Sequence, residues 1–447
     1  LHTTEHGSAP SSSSSTTPAI SHAASSPTLL AWLRSRPLAV TNATYALLYA
    51  VDGALLPFLS VFLAYEHGFS ASQIGMVLAA SSVAGLMAPP ILTMLADRHG
   101  RAELLFIWVL VASAATLLVF SVVEGYWWLL VVYTAFCLAR EPSRPLLDGI
   151  FFAAQRRIPA LADVSYHRVR IWGTVGYMIP GILLYISLTD DSSLDVLPVI
   201  ACGLALLGIV VAWFLPTRHV GRTAGSPPSG SGTDQAVRSR SRAGHGGGTS
   251  LSEVVRVAGR LLRRPTTVTF LASMFLLQVG QSVYFAFYPL LATDVVGLAP
   301  RWLGLVTNVG VIIELAYMAG YGWLVRRLGW RWLMVLGSLA AVARFALLAA
   351  SPSVAVIVGT QVVHGLVIIG TMVAGRVILD MQAPDEIRHT AQGIYAIVLG
   401  GGRMAGAAAG GLIAAASLAA VFWCAAAVGL LAALGMAWAL RDEPKPV

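Results

Sequence analysis

Leu95-Ala96-Asp97-Arg98-His99-Gly100-Arg101 lies in a short charged loop between two apolar stretches, and a degraded copy, Leu324-Val325-Arg326-Arg327-Leu328-Gly329-Trp330, recurs 229 residues later between two more. The same ungapped offset pairs Phe58 with Phe287, Gly68 with Gly297, Ile74 with Leu303 and Gly75 with Gly304. The chain is therefore an internal duplication. A repeat of this length, with each copy rich in apolar runs, is the sequence mark of many membrane carrier folds.

Hydrophobic residues make up 57% of the chain and charged residues 11%, and the mean hydropathy is +0.74. Such a chain belongs in a bilayer. A membrane-spanning helix needs about 20 mostly apolar residues. Twelve such spans are predicted, near 38–65, 71–95, 103–123, 126–153, 167–188, 195–216, 267–293, 301–325, 332–350, 353–379, 389–415 and 418–440. The expected fold is an all-α integral membrane protein of twelve transmembrane helices in two pseudo-symmetric six-helix bundles, residues 29–216 and 265–440. Around them lie a Ser-rich disordered tail (1–28), a Gly/Ser/Arg-rich linker (217–250), an amphipathic interfacial helix (251–264) and a short C-terminal tail (441–447).

Lys and Arg collect in short cytoplasmic loops. Here arginines fill every other loop, Arg301 alone falls on the opposite side, and Arg140, Arg144, Arg344, Arg376 and Arg403 lie inside predicted helices. Both termini are then cytoplasmic. The net charge of +8 is explained by topology, so no nucleic-acid partner is expected. The single lysine, Lys445, leaves no phosphate-loop lysine. No spacing matches a metal site or a nucleophile with its base, so an enzyme is not expected and no cofactor is called for. The energy source is then a solute or ion gradient. Arginine's dominance over lysine suggests a GC-rich bacterial genome and hence a bacterial inner membrane.

The residues resemble the major facilitator superfamily, in the branch holding phenylpropionate-type permeases and nucleoside or galactoside proton symporters. Pro57-Phe58-Leu59, Gln73-Ile74-Gly75, Ala96-Asp97-Arg98 with Gly100-Arg101, and Pro145-Leu146-Leu147-Asp148 carry the resemblance in the first half. So does Arg170-Ile171-Trp172-Gly173-Thr174, and in the second half Glu314, Arg344, Gln361, His364-Gly365 and Ala391-Gln392-Gly393. Thr93 replaces the Gly that usually opens the loop motif, and Arg403 stands where the branch has small or apolar residues. The resemblance implies a monomeric carrier working by alternating access, and a cytoplasmic latch at the loop motif. Asp97, Arg98, Gly100 and Arg101 would form that latch, with Arg327 and Gly329 as their counterparts in the second copy.

Ionisable groups inside helices are costly and are functional candidates by default. Glu314 and Arg344 lie at matching depths, roughly 18 to 20 Å from the cytoplasmic edge at about 1.5 Å per residue. They could pair, or Glu314 could face the cavity as a proton site. Asp52 is the second proton-carrier candidate. Arg140, Glu141, Arg144 and Asp148 share one face of the fourth span beside Pro142 and Pro145, whose break frees backbone carbonyls. Arg144 leads as an anion-binding group, with Arg140 second. Gln361, His364, Gln392, Tyr395 and Arg403 complete the expected substrate site, while Arg376 and Asp380 read as an i,i+4 ion pair. The leading expectation is proton-coupled symport of a small organic solute: an aromatic or other carboxylate, a sugar or a nucleoside. A proton-driven exporter and a non-transporting membrane sensor or scaffold remain open at this point.

Overall fold

The computed structural model describes residues 36–190, 192–215, 259, 263–382 and 388–441. The expected N-terminal tail, the linker and nearly all of the interfacial helix lie outside the described residues. Ten helices among those described are long and apolar enough to cross a membrane. They are α1 (Pro37–Tyr65), α2 (Ala71–His99), α3 (Ala102–Phe120), α5 (Tyr166–Ser187), α7 (Pro265–Val295), α8 (Trp302–Ala319), α9 (Tyr321–Ala350), α10 (Val354–Met381), α11 (Arg388–Ala414) and α12 (Leu418–Ala439). The other two predicted spans are α4, split into Tyr126–Arg140 and Ser143–Gln155, and α6, the shorter apolar helix Val196–Ala212.

Local chemistry places these boundaries. Pro37 and Pro265 open α1 and α7 at a position where no backbone N–H is missed. Ser70 and Gln73 close a reciprocal capping box at the start of α2. Pro142 stands in the break in α4 and Pro145 in the first turn of its second segment, because proline can neither donate to the preceding turn nor fit beneath it. The tenth helix is broken without an internal proline: Thr360–Val363 tightens to 3-10 geometry and Ile368–Val373 widens to a π segment. Gly329 leaves helical φ/ψ inside α9, which marks the predicted loop there.

The duplication persists in three dimensions. Gly68 and Gly297 adopt φ of 64° and 74°, and Gly100 and Gly329 adopt 61° and 76°, a left-handed region that costs glycine little. In the first half α1 crosses α5 with Gly173 against the Tyr49 ring and Gly53 against the Tyr177 backbone. In the second, α7 crosses α11 with Gly402 against Gln278 and Gly406 against Ser282, each residue 229 positions on. These small residues let the helices approach closely, as the spacing of Gly402, Gly406 and Gly410 implies.

Contacts joining the halves gather at the end opposite the arginine-rich loops. There α2 meets α11, where a methyl on Gly75 would stand 2.7 Å from the Gly411 Cα, and α5 meets α8, where one on Gly304 would stand 2.7 Å from the Gly181 Cα. Ser72 donates to the Gly411 carbonyl at 3.3 Å and Asn308 to that of Met178 at 2.8 Å. Beyond them Tyr65 donates to Asp294 at 2.7 Å, itself a 229-residue pairing, and Arg301 pairs with Asp190 at 2.8 Å.

Candidate functional site

Between the halves lies a cavity of about 620 Å³ walled by α1, α2, α4, α5, α7, α8, α10 and α11. Of the residues expected from sequence, Glu141, Arg144, Glu314, Gln361, His364 and Arg403 line it. Both halves therefore contribute charge to one space.

The wall from the first half rests on a buried ion cluster. Asp52 receives Arg140 Nε on Oδ1 at 3.1 Å and Arg144 Nη2 on Oδ2 at 2.8 Å. Arg140 also donates to the Leu48 carbonyl and, at 3.2 Å, to Ser143 Oγ. Arg144 reaches Glu141 at 3.3 Å with its remaining fork. The break in α4 makes this possible, since it lets Arg140 and Arg144, on opposite sides of Pro142, converge on one carboxylate from α1. This corrects two expectations. Asp52 is the anionic centre of a buried cluster and does not line the cavity: protonating it would leave the buried Arg140 without its counter-ion, while Arg144 keeps access to the cavity. Arg140 is buried and does not line the cavity.

The opposite wall is built by α8, α9 and α10. Arg344 is fully buried, donates to the Thr360 carbonyl at 2.8 and 3.2 Å, and lies 4.5 Å from the Tyr284 ring centroid. Its Nη1 stands 3.1 Å from His364 Nδ1. A guanidinium can only donate, so Nδ1 accepts and the neutral ring carries its proton on Nε2. That Nε2 is 3.7 Å from Glu314 Oε2, just beyond hydrogen-bond range. Arg344 and Glu314 do not pair, because His364 stands between them. The approach of α8 to α10 depends on Gly365, where a methyl would come within 2.8 Å of the Glu314 Cα. Gln361 donates to Tyr284 and Tyr288 at 3.1 and 2.9 Å.

Other expected site residues sit elsewhere. Asp148 accepts from Tyr45 at 2.6 Å and does not line the cavity. Gln392 donates to the Arg376 carbonyl at 3.2 Å, and Tyr395 is buried with its hydroxyl against Gly375. Both lie on turns of α11 nearer the arginine-rich end than Arg403. Arg376 and Asp380 lie one turn apart near the end of α10, away from the cavity lining. At the loop motif Arg98, Arg101 and Arg327 are exposed, Gly100 caps α2 with its N–H on the Ala96 carbonyl at 2.9 Å, and the Asp97 side chain lies outside the described residues.

Sequence reasoning missed Arg170, Tyr49 and Tyr177, all lining the cavity. The Arg170 and Arg144 guanidiniums lie 4.2 and 5.4 Å from the Tyr49 ring centroid. Arg170 falls so close to the start of its span that it counts with the loop arginines. The available signal is Gly173 one turn later, which leaves room for both Tyr49 and the guanidinium.

A family model, the "MFS_1 like family", matches residues 38–425. Among curated proteins, the probable 3-phenylpropionic acid transporter of Escherichia coli (strain K12) is 27% identical over 380 residues, 83% of this chain and 88% of that protein. The maltose permease of Geobacillus stearothermophilus is 26% identical over 362 residues, 79% of this chain and 82% of that protein. Among solved structures, the nucleoside transporter NupG superposes with a TM-score of 0.74 at 18% identity, covering 91% of this chain and 99% of its own. The peptide transporter POT in complex with sulfate gives 0.69 at 13% identity, covering 91% and 94%. With the duplicated bundles, the cavity between them and a family match over most of its length, the chain belongs to the MFS_1 like family of the major facilitator superfamily and is a membrane transporter, not an enzyme.

Proposed function

We propose that this transporter carries a small organic solute together with a proton, by alternating access of the central cavity to the two membrane faces. One observation carries the reading. Glu314 faces the cavity with no guanidinium within ion-pair distance among the described residues, whereas Asp52 and Glu141 are each paired to arginine. A carboxylate already bound by fixed cations gains little from a proton. Glu314, which His364 Nε2 approaches to 3.7 Å and which feels Arg170 only at longer range, can gain and lose one within the cycle. Relatives named for 3-phenylpropionic acid, nucleoside and maltose transport support an organic solute. The alternation of arginine-rich loops supports an orientation with both termini cytoplasmic, and the bacterial relatives support a bacterial membrane.

The test is reconstitution into proteoliposomes with an internal pH dye, challenged from outside with aromatic acids, sugars and nucleosides. Solute-driven acidification is expected for one compound class. It is lost in Glu314→Gln while solute binding, read by calorimetry, persists. Acidification that survives in Glu314→Gln overturns Glu314 as the proton site, and solute entry without acidification overturns the coupling.

A further inference from the structure

Two cavity arginines have no carboxylate within ion-pair distance among the described residues. Arg403 lines the cavity from α11, and no ion pair or side-chain hydrogen bond engages its guanidinium among the described residues. It lies within electrostatic reach of Glu141, Arg144 and Arg376, two of them cations. Arg170 lines the cavity from α5 and likewise has no carboxylate within ion-pair distance among the described residues; the Tyr49 ring is its described contact, and Glu314 lies within its electrostatic reach. Arg403 is about fifteen residues along α11 from Arg388, roughly 22 Å at about 1.5 Å per residue. Arg170 is four residues along α5 from Tyr166, roughly 6 Å at about 1.5 Å per residue, and its guanidinium reaches the Tyr49 ring.

Charge balance points the same way. The cavity and the clusters behind it contain Arg140, Arg144, Arg170, Arg344 and Arg403 against Asp52, Glu141, Asp148 and Glu314. Five cations face four acids, an excess of one; when Glu314 takes up a proton the excess becomes two. Arg140, Arg144 and Arg344 are held by carboxylate, carbonyl or imidazole partners. Arg170 and Arg403 are the two left for a ligand, and they project from opposite halves. Both guanidiniums are partly exposed to the cavity; once the cavity closes around them a missing counter-charge would be costly, and a bound acid removes that cost.

We propose that the substrate is a small organic dianion, with one acidic group at Arg170 on the first half and the other at Arg403 on the second. The inference rests on the reading of this cavity as the transport site and adds the class of compound it takes. A dianion tied to both walls links the halves, and with Glu314 protonated it brings the enclosed charge to zero. A solute with one acidic group reaches a single wall and leaves the other guanidinium bare. The proton and the second acidic group are thus required together.

The test uses the purified full chain and a panel of aliphatic and aromatic dicarboxylates, each with its monoamide and its diamide. Calorimetry at fixed ionic strength gives affinities, and the pH-dye assay gives transport. At least one dicarboxylate is expected to bind about tenfold or more tighter than its monoamide, the weight of one charge-assisted pair. Arg403→Gln should collapse that ratio towards one, and Arg403→Lys should restore part of it. Equal binding of dicarboxylate and monoamide by the unaltered protein overturns the inference, as does a ratio that survives Arg403→Gln in a variant with an unchanged melting curve. Proton-coupled entry of a neutral sugar or nucleoside, with no dicarboxylate binding, overturns the dianion and leaves the proton-coupled reading standing. Tenfold discrimination without acidification keeps the dianion and removes the proton.

Discussion

Asp52→Asn is expected to destabilise the folded protein by about 3 to 5 kcal/mol, the cost of removing one partner from a buried ion cluster. Asp52 is 5% exposed and Arg140 3%, and the carboxylate binds both Arg140 and Arg144. An amide keeps the shape but supplies no charge. Arg140, whose other donors go to the Leu48 carbonyl and Ser143, would keep its hydrogen bonds and lose its counter-ion. Arg144, about 30% exposed, can swing into the cavity and recover water. The penalty therefore falls mainly on Arg140, and Asp52→Asn combined with Arg140→Gln should melt above Asp52→Asn alone. Thermal unfolding in detergent for the two single variants and the double variant measures the coupling directly. A single variant that melts with the unaltered protein would mean that the cluster adds nothing to the fold. Additive losses in the double variant would show that the pair is not coupled.

The sequence reveals the fold through long-range regularity, and the site only where one residue suffices. Twelve apolar runs and the 229-residue offset need no tertiary information, and the structure keeps that offset down to matched helix crossings at Gly173 and Gly402. Six cavity residues are legible because an ionisable or amide group in an apolar span has few other reasons to be there. What is hidden is pairing between spans. Nothing near Asp52 in the chain shows that Arg140 and Arg144, 88 and 92 residues on, will converge on it. Its counterpart at the repeat offset is Gln281, buried with neither amide atom partnered, and the matching positions for the two arginines are Ile369 and Val373. One copy thus has an ion cluster where the other has an amide and two apolar side chains, and that the three residues form a cluster is visible only once the chain is folded. The breaks in α10 are hidden for a related reason. They contain no proline, and Gly370, in the π segment, lies close against Gly337 of α9, a contact set by packing and not by local propensity.

Replacing Gly304 with Trp is expected to abolish transport by holding the two halves apart at the arginine-poor end. Even a methyl there would stand 2.7 Å from the Gly181 Cα and 2.9 Å from the Phe58 ring, and the atoms it meets are largely backbone that cannot rotate aside. Overpacking by a methylene or two costs about 1 to 3 kcal/mol, and an indole displaces far more. The halves can escape that cost by separating, because the contact is between bundles and not within one. Each 1.4 kcal/mol by which separation is favoured shifts the open-to-closed ratio about tenfold. Gly75 makes the matching contact with Gly411 from the other copy, so Gly75→Trp should act in the same direction. The readout is the reaction rate of a cysteine placed at Thr174, a cavity position, in a background lacking Cys137, Cys202 and Cys424. An impermeant maleimide applied from the arginine-poor side should label it at least about tenfold faster in Gly304→Trp than in the parent. Gly304→Ala should fall between. Labelling from that side at the parent's rate, in a variant that melts normally and does not transport, would show that the α5 and α8 contact does not govern access and that the tryptophan blocks transport by some other route.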